Sequence, residues 1–205
     1  MSRKSESNSK MTLFEVIQKR VSVRSFRSDP IPQQYLEQIL EAARLAPNAG
    51  NQQSWRFLVI QGKEKLDEFR DFAWRSRKKW LLENGYEADT DEGMKAHYDK
   101  LLGAPLHIVV LIDLVVNYRG YAEQDGALAT ENIMLAARAL GYGSVMITGS
   151  VSAETVRKFF RVPKRYSINC LIPIGVPEAW PKRRARKPLT DLVFYDKVPR
   201  KSRSE

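Results

Sequence analysis

The chain has one cysteine, two histidines and no long uninterrupted apolar run among its 205 residues. Each scarcity removes a class of function. A single cysteine cannot close an internal disulfide, and Cys170 lies in the apolar run 168–174, where burial raises a thiol's pKa and leaves it inert. His97 and His107 have no further metal-binding side chain three or four residues away, so the donor spacing of a zinc site is missing. His107 sits inside an apolar strand pattern, which suits a packed, hydrogen-bonded histidine better than a catalytic base. A Ser-His-Asp or Cys-His arrangement therefore has almost no material to work with. If the chain is an enzyme, an organic cofactor supplies the reactivity. The longest apolar stretch, 104–116, contains His107 and Asp113 and falls short of the ~20 residues of a membrane span. Residues 1–10 lack the apolar core of a secretion signal. A soluble protein with no membrane partner and a cytoplasmic address is expected.

Positive charge is in excess, with 34 Lys and Arg against 24 Asp and Glu, a net +10. The excess is concentrated: residues 1–10, 182–187 and 200–205 carry +2, +5 and +2, nine of the ten charges. The body between them is nearly neutral. A nucleic-acid binder shows a basic face with groove-reading or stacking elements rather than basic ends, so the distribution argues against a nucleic-acid partner. A basic nucleic-acid-binding module nevertheless stands as the alternative class. With 43% hydrophobic residues, the length suits one domain with a sizeable core. The expected organisation is a disordered basic arm at 1–10, a single domain at 11–198 and a basic tail at 199–205.

Along the chain, Thr12 can cap a short helix that ends near Arg20, and 21–26 alternates as an extended segment. Pro32 starts a second helix with Leu36, Ile39, Leu40 and Ala43 at helical spacing, which stops by Pro47. Strands are predicted at 56–61, 106–111, 144–148 and 167–176, with a last short one at 192–195. Helices are predicted from Lys63 to about Leu82, over 121–140 with Gly141 just past its end, and after the cap residue Ser152. The acidic stretch 84–93 reads as a loop. Helices and strands alternate without internal repeats, so the class is α+β around one sheet.

Two segments carry chemistry. In the extended stretch, residues two apart share a face, so Arg20, Ser22 and Arg24 project together while Val21 and Val23 face the core. Two guanidinium groups and a hydroxyl placed this way suit a phosphate; a solvated basic strand edge is the alternative. The second segment is Ala46-Pro47-Asn48-Ala49-Gly50-Asn51-Gln52-Gln53-Ser54-Trp55. Its side-chain amides both donate and accept, which suits a flat heterocycle with carbonyl and N–H edges. The plainer alternative is a turn built on Asn and Gly, with Trp55 packed in the core.

At these residues the sequence resembles the nitroreductase family of flavoproteins. The resemblance rests on Arg20-x-Ser22-x-Arg24, the helix Leu36 to Ala43, Ala46-Pro47 with Asn51-x-Gln53-x-Trp55, and the stretch 132–144, Asn-Ile-Met-Leu-Ala-Ala-Arg-Ala-Leu-Gly-Tyr-Gly-Ser. Ile174-Gly175 and Arg186-Lys187-Pro188-Leu189 also fit, so the resemblance spans about residues 12–195. It implies a mixed, mainly antiparallel sheet flanked by helices in an intertwined homodimer. It also implies a tightly bound, non-covalent FMN at the subunit interface, with NADH or NADPH as co-substrate. Arg20, Ser22 and Arg24, with Val21 between them, match positions that hold the phosphate, ribityl and pyrimidine side. Pro47, Asn48, Asn51 and Gln53 match a loop that approaches the flavin from the partner subunit. Ile147, Thr148 and Gly149 match a strand end whose backbone passes beside the ring, and Arg184 and Arg186 match a late basic pair that reaches the phosphate.

The expected reaction is hydride transfer from NAD(P)H through FMN to an electron-poor small molecule, a nitroaromatic or quinone, by a ping-pong sequence without a side-chain nucleophile. A flavin-binding member without reductase turnover is the other reading within the family. Three positions depart from the family pattern: Ser54 stands where many members have Pro, Asn48 where many have Ser, and Thr148 where some have an acidic residue. The segment 69–98 is expected to shape the acceptor pocket, with Trp74, Trp80, Tyr86, His97 and Tyr98 as candidate stacking residues.

Overall fold

The computed structural model describes residues 11–86, 92–118 and 120–198. The expected arm at 1–10 and tail at 199–205 lie outside the described residues. Its centre is β2 (Leu106–Asp113), whose eight residues are all buried. A strand apolar on both faces needs cover on both. It receives β1 (Trp55–Gln61) on one side and β4 (Tyr166–Gly175) on the other, and β3 (Gly143–Ser144) completes the order β1-β2-β4-β3. All three pairings are antiparallel.

Side chains alternate across this sheet and separate two cores. On one face Leu106, Ile108 and Val110 meet Cys170, Ile172 and Ile174, and are covered by α2 (Gln33–Arg44) through Leu36 and Ile39 and by α5 (Ala122–Ala139) through Ile133, Met134 and Ala137. On the other face Val109 and Leu111 meet α3 (Lys63–Glu83) through Leu66, Phe69 and Ala73, α4 (Glu92–Leu101) through Tyr98 and Leu101, and α6 (Ala153–Phe160) through Val156. Cys170 is buried, and its thiol is pushed up to about 11 by burial, against the opposing contact of Thr130 at 3.1 Å.

The predicted caps form. Thr12 Oγ1 accepts from Glu15 N at 3.3 Å and Glu15 Oε2 accepts from Thr12 N at 2.8 Å, starting α1 (Leu13–Lys19). Ser152 Oγ accepts from Thr155 N at 3.1 Å at the head of α6. Beyond the end of α5, Gly141 takes φ 88°, the left-handed geometry that ends a helix cheaply only with glycine.

Some expectations are corrected. The extended segment 21–26 is not a strand of the sheet. It touches it through two isolated bridges, Ser22 to Ser144, the one parallel pairing among the described residues, and Phe26 to Pro177. The predicted strand at 144–148 shrinks to Gly143–Ser144 plus a bridge from Ile147 to Leu171. Residues 192–195 form no strand; a single 3-10 turn at Leu189–Asp191 precedes them, and everything from 178 to 198 is exposed. Helix α4 emerges where a loop signal masked its start, with Met94, Tyr98 and Leu101 at helical spacing along one side.

His107 is fully buried, with its ring edge-on to Phe69 at 6.3 Å between centroids. Among the described residues neither ring nitrogen makes a hydrogen bond of ordinary geometry, and the Leu102 backbone is the polar group beside it. Burial, then the nearby charge of Arg70, pushes its pKa down to about 3; the Leu102 carbonyl, outside hydrogen-bond geometry, opposes the shift least. The folded protein thus keeps this imidazole neutral at pH values where an unfolded chain protonates it, from about 6.5 down to about 3. Over that window the unfolded state binds the extra proton, so His107 erodes stability as pH falls, by up to about 1.4 kcal/mol per pH unit. Denaturant unfolding of the natural chain and of His107→Leu should show this directly: the variant's loss of stability between about pH 6 and pH 4 is shallower by about 1 kcal/mol per unit. Parallel acid limbs would refute the assignment.

Candidate functional site

The segment 20–24 and the tail 181–186 are far apart in the chain and face each other across one cavity. Its volume is about 390 Å³ and its lining includes Arg20, Val21, Ser22, Arg24, Arg184 and Arg186. Pro181, Lys182 and Arg183 complete the wall, so six cationic side chains and no acidic one border the space. Val21 splits its role, lining the cavity while packing against Val23, Phe26 and Ala104.

Backbone pairing brings the two walls together. Arg27 N donates to the Val176 carbonyl at 2.8 Å and Glu178 N to the Ser25 carbonyl at 3.2 Å, flanking the Phe26–Pro177 bridge. Ser25 Oγ donates to Glu178 Oε2 at 2.5 Å. Val23 N donates to the Ser144 carbonyl at 3.0 Å, which seats the arginine segment on the sheet edge beside β3. Gly143 permits this approach, since a Cβ there would stand 2.6 Å from Val23 Cγ2. Trp180 is held by Arg138 of α5, whose guanidinium lies 3.7 Å from the centre of the indole, and this pins the start of the basic run.

The cations themselves are weakly partnered. Arg20 Nε stands 3.5 Å from Glu131 Oε1 on α5, at a largely exposed position of the glutamate. Arg24 donates to the Ser22 carbonyl at 3.4 Å and Arg186 to the Arg184 carbonyl at 3.2 Å. Gathering six cations with the Glu131 carboxylate beside one of them is self-repulsive, and a polyanionic ligand removes the repulsion through charge-assisted hydrogen bonds.

The amide loop does not line this cavity. Pro47, Asn51 and Gln53 are exposed and Asn48 is half-buried. Asn48 Oδ1 accepts from Gln53 N at 2.7 Å, closing the loop on itself. Asn51 and Gln53 adopt φ of 53° and 49°, left-handed conformations that non-glycine residues hold only under constraint. Asp125, in the first turn of α5, supplies the constraint. Its Oδ1 accepts from Ala49 N at 3.0 Å, and its Oδ2 accepts from Asn117 Nδ2 at 2.8 Å and Ser54 Oγ at 3.4 Å. Ser54 is fully buried and also accepts from Asn117 at 3.0 Å, so the hydroxyl at this unusual position is part of the loop's anchor. Trp55 is a core residue, donating to the Ala43 carbonyl at 2.7 Å.

Ile147, Thr148 and Gly149 lie on the turn that follows β3. Ile147 is buried and exchanges backbone hydrogen bonds with Leu171 at 2.9 and 3.1 Å, whereas Thr148 and Gly149 are exposed. Of the candidate stacking residues, Trp74 and Tyr98 are buried in the core and His97 is exposed on α4. Trp80 and Tyr86 are exposed and stacked on each other. Sequence reasoning missed Asp125, Asn117, Arg138 and Trp180. The one visible signal was an acid placed among the small residues that open α5.

The chain matches the model of the nitroreductase family over residues 17–176. It belongs to the nitroreductase family. A candidate NADH dehydrogenase/NAD(P)H nitroreductase of Methanothermobacter thermautotrophicus is 29% identical over 195 residues, spanning 93% of this chain and 87% of that protein. An FMN-dependent nitroreductase of Clostridium difficile R20291 superposes with a TM-score of 0.65 at 26% identity, over 89% of this chain and 98% of that one. An iodotyrosine deiodinase bound to FMN and 3-iodo-L-tyrosine shares the fold at a TM-score of 0.76 and 24% identity, over 91% and 100% of the two chains. A nitroreductase-family fold can therefore stand on different reactions. Among the described residues no helix is long and apolar enough to cross a membrane, and no group of three His, Cys, Asp or Glu could hold a metal ion.

Truncating Asp125 leaves the Ala49, Asn117 and Ser54 donors unpaired. Asp125→Ala should cost about 2–3 kcal/mol in denaturant unfolding and speed amide exchange across residues 48–54. Glu123→Ala, exposed in the same helical turn, should cost no more than about 0.5 kcal/mol. Equal costs would mean that the carboxylate does not hold the loop.

Proposed function

We infer that the chain binds FMN non-covalently and works as an oxidoreductase that passes a hydride from NADH or NADPH to an electron-poor small molecule such as a nitroaromatic or quinone. The observation that carries this reading is the convergence of Arg20, Ser22, Arg24, Arg184 and Arg186 on one acid-free cavity. A ligand ending in a phosphate dianion fits that donor set; a neutral nucleoside would leave the charges unmatched. Support also comes from relatives whose names carry FMN dependence and NAD(P)H use.

In this reading the arginines grip the phosphate, and Ser22 offers its hydroxyl to the ribityl and pyrimidine side. When bound, the flavin supplies the redox chemistry, accepting a hydride from NAD(P)H and giving it up to the next molecule that enters, which makes the sequence ping-pong. The exposed Thr148–Gly149 backbone would lie along the ring. Asn51 and Gln53, held out by the Asp125 anchor, would offer amide donors and acceptors to the ring edge of a second copy. His107 and Cys170 are buried and take no part.

A homodimer belongs to the same reading. Residues 178–198 leave Leu189, Phe194 and Tyr195 exposed at 75, 56 and 83%, and Phe14 on α1 stands 75% exposed. Burying such side chains contributes about 1.5–3 kcal/mol each, so a second copy is the natural cover.

Purified protein supplied with FMN should be yellow and bleach anaerobically on addition of NADH or NADPH; a protein that stays colourless sinks the assignment. Arg24→Gln and Arg186→Gln should each weaken FMN at least about tenfold while moving riboflavin, which lacks the phosphate, far less. Sedimentation should report two chains per particle, and Phe194→Asp should raise the monomer fraction and release flavin with it. A monomer that retains flavin would contradict the shared site.

A further inference from the structure

A second cavity, of about 500 Å³, lies where the C-terminal half of α3, the turn after β3 and the head of α6 meet. Gly149 and Ser150 form one wall and Ser76, Arg77 and Trp80 the opposite one. If the flavin reading above holds, this space shares Gly149 with the turn assigned to the ring and offers an entry for an electron acceptor. The turn is held from behind, because the buried Tyr98 on α4 donates its hydroxyl to the Ser150 carbonyl.

The charges of the cavity are not equivalent. Lys79 is paired with Glu83 at 3.7 Å and Lys158 with Glu154 at 3.5 Å. Arg77 is half-buried and makes no ion pair or hydrogen bond among the described residues. Its guanidinium instead lies over the Trp80 ring, 4.5 Å from the centroid, and Trp80 is stacked with Tyr86 at 5.9 Å and 11°. A guanidinium held over an indole face by a cation–π contact keeps its N–H donors available for a further partner. A partly desolvated cation with unspent donors is complementary to a carboxylate.

We propose that the electron acceptor is a flat quinoid or nitroaromatic acid, with its carboxylate received by Arg77 and its ring directed toward Gly149. The reaction balances as a two-electron reduction. A quinone acid, NAD(P)H and one proton give the hydroquinone acid and NAD(P)+, with one hydrogen arriving as hydride and the other as a proton from solvent; a nitro acid with the same reactants gives the nitroso acid, NAD(P)+ and water.

The test uses the FMN-loaded protein in its oxidised form, with benzoate and the near-isosteric neutral benzamide as probes that cannot be reduced. Binding is read by calorimetry and by the shift of the visible flavin band. Benzoate should bind more tightly than benzamide, and Arg77→Gln should reduce the benzoate-to-benzamide affinity ratio at least about tenfold. Arg77→Lys, which keeps the charge without the planar fork, should recover only part of it. With 4-nitrobenzoate and 4-nitrobenzamide as acceptors, the ratio of kcat/KM values should fall in the same proportion. A yellow protein whose selectivity is absent, or unmoved by Arg77→Gln, overturns the acid-acceptor proposal and leaves the flavin reading intact. A protein that takes up no FMN overturns both.

Discussion

Six like charges around one cavity, with no carboxylate among them, is the constraint on which the rest of this structure turns. Such a cluster is tolerable because each guanidinium remains partly hydrated and the segments that carry it are fastened elsewhere. The Phe26–Pro177 bridge and its flanking hydrogen bonds fasten one end, the Val23–Ser144 bond seats the arginine segment on the sheet edge, and the Arg138–Trp180 stack fixes the start of the basic run. The apolar sheet supplies the rigidity behind all three. β2, buried on both faces, cannot shift without opening both cores.

The same economy governs the amide loop. Left-handed backbone at Asn51 and Gln53 is unfavourable by itself, and a buried carboxylate on a neighbouring helix offsets the cost by collecting three donors. The amide side chains of Asn51 and Gln53 are thereby left at the surface, while the groups that position the loop are buried. The Tyr98 contact with the turn at Ser150 follows this division as well, with a core aromatic on α4 holding a backbone segment whose exposed neighbours border the second cavity.

Most elements were legible in the sequence because their periods are strong. The strands 55–61, 106–113 and 166–175, the helices α2, α3 and α5, and the caps at Thr12 and Ser152 all stand within a residue or two of their predicted places. The failures have a common cause. Segments 21–26, 144–148 and 192–195 carry strand-like residues, yet a strand needs a continuous partner. The first finds two isolated bridges, the second a two-residue pairing at its start and a bridge at Ile147, and the third none among the described residues of its own chain. Helix α4 was hidden because its apolar residues are few and follow an acidic stretch of sequence. At the site, Arg20, Ser22 and Arg24 were named from their alternation in an extended stretch, and Arg184 and Arg186 from the family resemblance. Asp125, Asn117 and Arg138 were not, since an anchoring carboxylate or a stacked arginine announces itself only through what it touches.

Composition alone argued against a zinc site and against a Ser-His-Asp or Cys-His arrangement, since it offers one cysteine and two histidines, and local spacing set which segments coil and which extend. Those properties depend on neighbours a few positions away. Only the folded chain could bring residue 24 opposite residue 186, because that distance is closed by sheet order and by a backbone bridge near position 177, and no local pattern encodes either. The difference between the paired Lys79 and the unpaired Arg77 was likewise invisible beforehand. Both are cations on one helix, and their chemistry parts only when the tryptophan and glutamate beside them take their places in space.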